Sequence, residues 1–413
     1  MLVPESELSI IIDKLQLQNR GKYSTIKEIF DSLEDTDMEY RNYKKSSEKI
    51  SLLGLGNMRL PKLHEDAEDI DTVRAQQIVD YAYDHGVNYY DTAYMYHGGK
   101  SEKFIGQALK KYDRSTFYLA TKMPIWMAET PEEMKQIFEN QLINLQTDYI
   151  DFYLFHSLTR ANFDKCVNFG LYEYLSEKKE QGIIRNLGFS FHDTPEVLEQ
   201  ICSTYEWDFA QIQLNYLDWE MQNAKRQYEI LEQHGIPCII MEPVRGGKLV
   251  NTCDAANEIF THANPHVSVA SWAIRYAASL PNVLTVLSGM SNMEQIQDNI
   301  NTLTDFTPMT QEEYKIVERA VYEYKKKDTV PCTGCRYCMD CANGVDIPKS
   351  FELYNKFVMN NDLAAYKKEY FMLDESTREN QCIACGICAQ HCPQGIDIPD
   401  KLQMIQKRIS DLF

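Results

Sequence analysis

Two kinds of apolar run alternate along the chain from Met38 to about residue 303, and few folds accept that alternation. Short runs rich in β-branched and aromatic residues read as strands at 50–54, 87–91, 117–122, 150–156, 184–190, 209–215, 237–243 and 284–289. Between them lie runs with helical spacing, at 73–85, 101–112, 131–145, 165–181, 195–204, 220–233 and 267–280, with 294–302 after the last strand. A shorter strand-like stretch, 40–43, precedes the series across a polar turn. Eight strand-then-helix units over roughly 270 residues match an α/β architecture, the (β/α)8 TIM barrel, in number and length. A doubly wound open sheet is the competing arrangement. It calls for a glycine-rich phosphate loop opening a helix after the first strand. Gly54-Leu-Gly56-Asn-Met-Arg59 supplies two glycines but no helix start.

The chain has 413 residues, more than one core usually holds, and its character changes on both sides of the alternating region. Residues 1–37 are acidic and weakly patterned, with short amphipathic stretches at 10–15 and 26–33, and read as an N-terminal extension on the surface. Residues 38–308 form the barrel, 309–330 a linker helix, and 331–413 a small α-rich domain that carries eight of the 12 cysteines. The net charge of −19 argues against a nucleic-acid or anionic-membrane partner, each of which needs clustered Lys and Arg. No apolar run reaches the length of a membrane span, and the N-terminus lacks a basic-then-apolar leader pattern, so a cytoplasmic protein is expected.

Three consecutive strand-like runs end in polar residues: Asp91, then Lys122 in Ala120-Thr-Lys-Met123, then His156 in Leu154-Phe-His-Ser157. Tyr96 follows Asp91 on the loop before the next helix. The C-terminal ends of the strands are the catalytic face of such a barrel. The pattern Asp91-x-Ala93-x-x-Tyr96-x-x-Gly99-x-Ser101-Glu102, followed by Lys122 and His156, resembles the Asp-Tyr-Lys-His tetrad of the aldo-keto reductase family. The resemblance covers about residues 38–303. It implies that Tyr96 protonates the oxygen of a carbonyl substrate as hydride arrives, and that Lys122 lowers the phenol's pKa. It further implies that Asp91 holds Lys122 and that His156 donates to the substrate oxygen. The hydride then comes from a nicotinamide, NADP or NAD, because no side chain supplies one.

The resemblance also implies cofactor contacts. Ser190 and Gln211 match positions that hold the carboxamide. Glu242, Pro243, Arg245 and Gly246 match the loop over the pyrophosphate. Gly289, Ser291, Gln295 and Asn299 match the adenosine pocket. Phe191 departs from the asparagine that often follows the serine, and no Arg or Lys stands from Ser288 to Asn299 to pair with a 2′-phosphate. The substrate is expected to be a small carbonyl or alcohol, bordered by the 124–126 and 216–219 loops with Trp126 and Trp219, and by the C-terminal domain.

The eight grouped cysteines form two runs, Cys332-x-x-Cys335-x-x-Cys338-x-x-Cys341 and Cys382-x-x-Cys385-x-x-Cys388-x-x-x-Cys392-Pro393. The second matches the bacterial ferredoxin run. The two also repeat one another, Cys341-Ala-Asn-Gly-Val-Asp-Ile-Pro348 against Cys392-Pro-Gln-Gly-Ile-Asp-Ile-Pro399. This predicts a ferredoxin-like module with two [4Fe–4S] clusters, in which the fourth cysteine of each run serves the other cluster. Cys332, Cys335, Cys338 and Cys392 then hold one, and Cys382, Cys385, Cys388 and Cys341 the other. Zinc sites more often separate two cysteine pairs by a longer loop. The other four, Cys166, Cys202, Cys238 and Cys253, are isolated and read as small buried groups. The aromatic stretch 350–379 reads as helical packing for the module.

Clusters move single electrons and nicotinamides move pairs. The sequence is therefore expected to encode an NAD(P)-dependent carbonyl reductase or alcohol dehydrogenase whose clusters exchange electrons with a ferredoxin-like or other redox partner. The alternative is a redox adaptor or sensor in which the barrel only binds nucleotide.

Overall fold

The computed structural model describes residues 38–43, 48–64, 69–339 and 341–410, and the expected N-terminal extension lies outside them. Eight parallel strands close into a barrel: β3 (Leu53–Gly56), β4 (Tyr89–Asp91), β5 (Tyr118–Met123), β6 (Ile150–Leu158), β7 (Ile184–Phe191), β8 (Phe209–Gln213), β9 (Cys238–Met241) and β10 (Val283–Ser288). They pair in chain order, and β10 closes on β3. Each strand is buried on both faces, inside by the barrel's own filling and outside by helices.

The first expected strand, 50–54, is divided between two sheets. Its start belongs to β2 (Lys49–Ser51), which pairs antiparallel with β1 (Tyr40–Asn42), and only its end enters the barrel as β3. The division falls at Leu52, whose amide turns back to the Glu39 carbonyl. This hairpin seals the barrel's N-terminal end: Tyr43 and Ile50 join Tyr89, Phe152, Phe209 and Leu284 in one buried cluster. The opposite end is left for the polar strand termini.

The helices follow the predicted series with local differences. The expected helix at 165–181 is two, Arg160–Asn168 and Leu171–Glu180, broken where Gly170 takes a positive φ of 59°. The 220–233 run is also two, Asp218–Met221 and Ala224–Gln233, and Asp254–Ala263 is a helix not expected from the pattern. The helix Gln311–Lys325 starts on a Thr310–Glu313 capping box, which satisfies otherwise unpaired N–H groups. It buries Val317, Ala320 and Tyr324 in the barrel's main core, so the expected linker helix is part of the barrel's packing.

The C-terminal region has its own core, centred on Phe351, Tyr354, Tyr366, Ile398 and Leu402 from the helices Ile347–Asn360, Leu363–Met372 and Ile398–Ser410. Six of the eight cysteines pack against it. It sits on the barrel mouth.

Candidate active site

Asp91 closes β4, Lys122 lies next to last in β5, and His156 is third from the end of β6, so all three stand at the C-terminal ends of neighbouring strands. Lys122 Nζ donates to Asp91 Oδ1 at 2.6 Å and to the Thr92 carbonyl at 2.7 Å. Both side chains are buried. Burial pushes the Asp91 carboxyl up and the Lys122 ammonium down, and each charge opposes the other's shift. The end of β5 is held from behind. Glu102 accepts from Thr121 Oγ1 at 2.6 Å and from Gln141 Nε2 at 2.7 Å, and Gln141 also reaches the Lys122 carbonyl.

Tyr96 lies on the loop after β4, with Lys122 Nζ 5.0 Å from its ring centre and the His156 ring 6.1 Å away. The four expected tetrad residues therefore line one cavity, together with Ser190, Gln211, Glu242 and Gly289. Burial raises the Tyr96 pKa well above that of a free phenol, the Asp91 charge adds to the rise, and Arg59 opposes it. His156 is pushed well below the usual imidazole range by burial and by Lys122, and is neutral.

The remaining expected contacts divide. Ser190 Oγ accepts the Ser157 amide at 2.8 Å, and Gln211 Oε1 is buried at the cavity without a hydrogen-bond partner. Glu242 bonds Arg59 at 2.9 Å. Ser291 donates to the Arg59 carbonyl at 2.7 Å and receives Gln295 Oε1 at its amide, while Asn299 is buried on Ser288. Arg245 does not line the cavity. Its guanidinium is buried 3.2 Å from Asp218 and reaches the Pro331 carbonyl. Gly246 has a φ of 62°, and a Cβ there would overlap the Thr333 carbonyl oxygen. The loop expected over a pyrophosphate is thus covered by the start of the first cysteine run. Trp219 and Tyr216 also turn away, into packing against Tyr276, whereas Trp126 stands 5.0 Å from His156.

Residues the sequence did not single out complete the cavity: Arg59, Thr333, Tyr337, Pro393 and Gln394, with Cys335 beside them. Gln394 and Gln213 exchange two amide hydrogen bonds, at 2.7 and 2.9 Å, across the two regions. For Thr333, Tyr337, Pro393 and Gln394 the signal is closeness to a cysteine of the two runs, which carries meaning only once the module is known to face the barrel; Arg59 has no such signal.

The cysteines fall into two groups. Cys332, Cys335, Cys338 and Cys392 line one pocket, and each of the first three feels the charge of Cys392. Cys388 feels Cys382, Cys385 and Cys341. Backbone amides of Gly334 and Ala384 each point at a cysteine sulfur, 3.4 Å away, as donors to thiolates do. Four thiols around one pocket, with backbone amides aimed at the sulfurs, are a donor set that fits an iron–sulfur cluster.

The sequence model of the aldo/keto reductase family matches residues 52–321. The chain belongs to that family. A second model, the 4Fe-4S dicluster domain, matches residues 331–396, so this aldo/keto reductase carries an iron–sulfur module. An uncharacterized oxidoreductase, YqkF, of Bacillus subtilis is 27% identical over 68% of this chain and 96% of its own. The NADH-specific methylglyoxal reductase of Escherichia coli is 25% identical over 62% of this chain and 90% of its own. The solved aldo-keto reductase AKR11C1 from Bacillus halodurans, in its holo form, superposes with a TM-score of 0.56 at 26% identity, covering 68% of this chain and 96% of that one. All three alignments span about the length of the barrel. By family this aldo/keto reductase is an NAD(P)-dependent oxidoreductase. At the cavity the unpartnered Gln211 Oε1 is an acceptor of the kind a carboxamide N–H would satisfy. No helix among the described residues is long and apolar enough to cross a membrane.

Proposed function

We propose that this aldo/keto reductase interconverts a small carbonyl compound and its alcohol, and that its cysteine module exchanges single electrons with an outside redox protein. The observation that carries the reading is the shared cavity: the tetrad and Cys335 line the same walls. A nicotinamide dinucleotide bound there supplies the hydride, and the clusters supply or accept electrons singly. Ser190 and Gln211 hold the carboxamide. Tyr96, kept protonated by burial, gives its proton to the substrate oxygen. Lys122 and Asp91 form the charged pair that restores that proton. The absence of any Arg or Lys from Ser288 to Asn299, where Glu294 and Asp298 stand instead, favours NADH over NADPH.

The outward side of the module supports a protein partner. Cys385 is exposed, and Ile383 and Ile387 beside it are 63% and 48% exposed. An apolar rim around an electron-transfer group suits brief docking of a small redox protein. The test is Tyr96→Phe assayed with methylglyoxal and NADH. Loss of the general acid is expected to lower kcat by about 10²–10⁴-fold. A near wild-type rate contradicts the role given to Tyr96.

A further inference from the structure

Tyr337 belongs to the module, two residues after Cys335 and one before Cys338, yet its side chain enters the barrel. Its hydroxyl lies 3.3 Å from His156 Nε2, and its ring lies 6.2 Å from that of Trp126. One ring nitrogen of His156, the residue expected to donate to the substrate, is therefore already engaged.

The direction of this hydrogen bond follows from the other side of the imidazole. His156 is neutral and so carries one N–H. Its Nδ1 is buried without a partner. A proton on Nδ1 would leave a buried donor unpaired, which costs more than leaving a lone pair unused. The proton therefore sits on Nε2 and is donated to the Tyr337 oxygen. The Tyr337 hydroxyl hydrogen is then left over. Among the described residues no protein acceptor faces it, and the cavity it opens on is the one lined by Tyr96 and Lys122.

We propose that Tyr337 is a substrate-contacting residue, a second hydroxyl donor to the carbonyl oxygen beside Tyr96, and that His156 is a positioning residue acting through it. The proposal rests on the carbonyl reading above. It makes the substrate site a joint product of barrel and module: the group that touches substrate lies between Cys335 and Cys338, which with Cys332 and Cys392 form the inner cysteine set, the one beside the barrel. No electron or proton is consumed by Tyr337 itself. It donates a hydrogen bond, and the transferred proton remains that of Tyr96.

The test uses Tyr337→Phe in the full chain, which keeps the ring and its packing and removes one oxygen. Wild type and variant are first matched for iron content and visible cluster absorbance. Steady-state kinetics with methylglyoxal are expected to show kcat/KM lower by about 10–100-fold, with NADH affinity by fluorescence titration unchanged, as for loss of one donor to a developing oxyanion. A change of less than twofold overturns the proposal. Acetate, an oxyanion mimic, gives a second readout independent of turnover. It is expected to alter the electron paramagnetic resonance line shape of the reduced wild-type protein and to leave that of Tyr337→Phe unaltered. Identical acetate responses in the two proteins overturn the contact. If the wild type reduces no carbonyl, the carbonyl reading fails, and the acetate comparison still decides whether Tyr337 meets the ligand.

Discussion

The two cysteine runs are near repeats in sequence and opposites in placement. Thr333 and Ile383 each follow the first cysteine of their run; the former is 3% exposed against the barrel and the latter 63% exposed to solvent. Tyr337 and Ile387 each precede the third cysteine; one bonds His156 and the other is half exposed. Gln394 and Asn343 each lie two after the fourth cysteine. Gln394 is buried in a reciprocal amide pair with Gln213, whereas Asn343 donates to Gln381 within its own module. The cysteine spacing defines what each site binds. The residues between the cysteines decide whether it faces a substrate or a partner.

Cysteine replacement breaks this comparison most severely. Cys392 shares a pocket with Cys332, Cys335 and Cys338, so Cys392→Ser is expected to empty that inner set although it lies in the second run. Cys341→Ser is expected to empty the outer set. Each variant should lose about half its iron. Only Cys341→Ser should keep a resonance signal that responds to acetate. The reverse assignment would show that the runs do not cross.

Lys122→Met probes the barrel half alone. It leaves Asp91 charged and buried, and breaking such a pair costs about 3–5 kcal/mol. Chemical denaturation of the barrel should report that loss while the module's cluster absorbance stays intact. Unchanged barrel stability would mean that Asp91 is neutral in the fold.

The equivalent amides should then differ. Gln394→Leu leaves Gln213 Oε1 without its donor, although Gln213 Nε2 keeps Asp218, and is expected to cost about 1–3 kcal/mol, while Asn343→Leu, on the exposed side, stays within about 0.5 kcal/mol. Equal effects in urea titrations would remove the asymmetry. At the outer rim, Ile383→Glu is expected to leave stability and NADH-dependent turnover unchanged and to slow reduction by a small external redox protein, measured by cluster bleaching. An unaffected rate would place the docking surface elsewhere.

The smallest effect is of pH and belongs to the barrel. Burial depresses His156 well below the usual imidazole range, and His192 to about 4. Below about pH 6.5 the unfolded chain binds protons that the folded state refuses. Stability is therefore full above that pH and is lost as pH falls toward about 4. The apparent melting temperature should drop modestly from pH 7.5 to 6, and less so in His192→Gln.

Much of this was legible in the sequence because it depends on local patterns. Asp91, Lys122 and His156 sit at ends of apolar runs, and a parallel barrel gathers the C-terminal ends of its strands at one mouth. The cysteine spacing and its repeat carry the expectation of two four-cysteine sets. What was not legible depends on contacts between distant segments. Arg245 reads as a loop cation but is buried on Asp218 by the arriving module, and Gly246 leaves room for the Thr333 carbonyl. The run 50–54 reads as one strand because hydrophobicity does not mark where the chain turns from hairpin to barrel. The burial that raises the Tyr96 pKa is likewise a product of the folded cavity, and no local pattern marks it.

The central claim is that the barrel cavity and the inner cysteine set form one redox unit. Anaerobic stopped-flow mixing of the protein with NADH, and separately with NADPH, tests it most directly, following nicotinamide absorbance and the visible cluster band together with no substrate added. The account predicts that the cluster band bleaches in step with nicotinamide oxidation, and faster with NADH. A cluster band that stays unchanged while methylglyoxal is still reduced on its addition would contradict it.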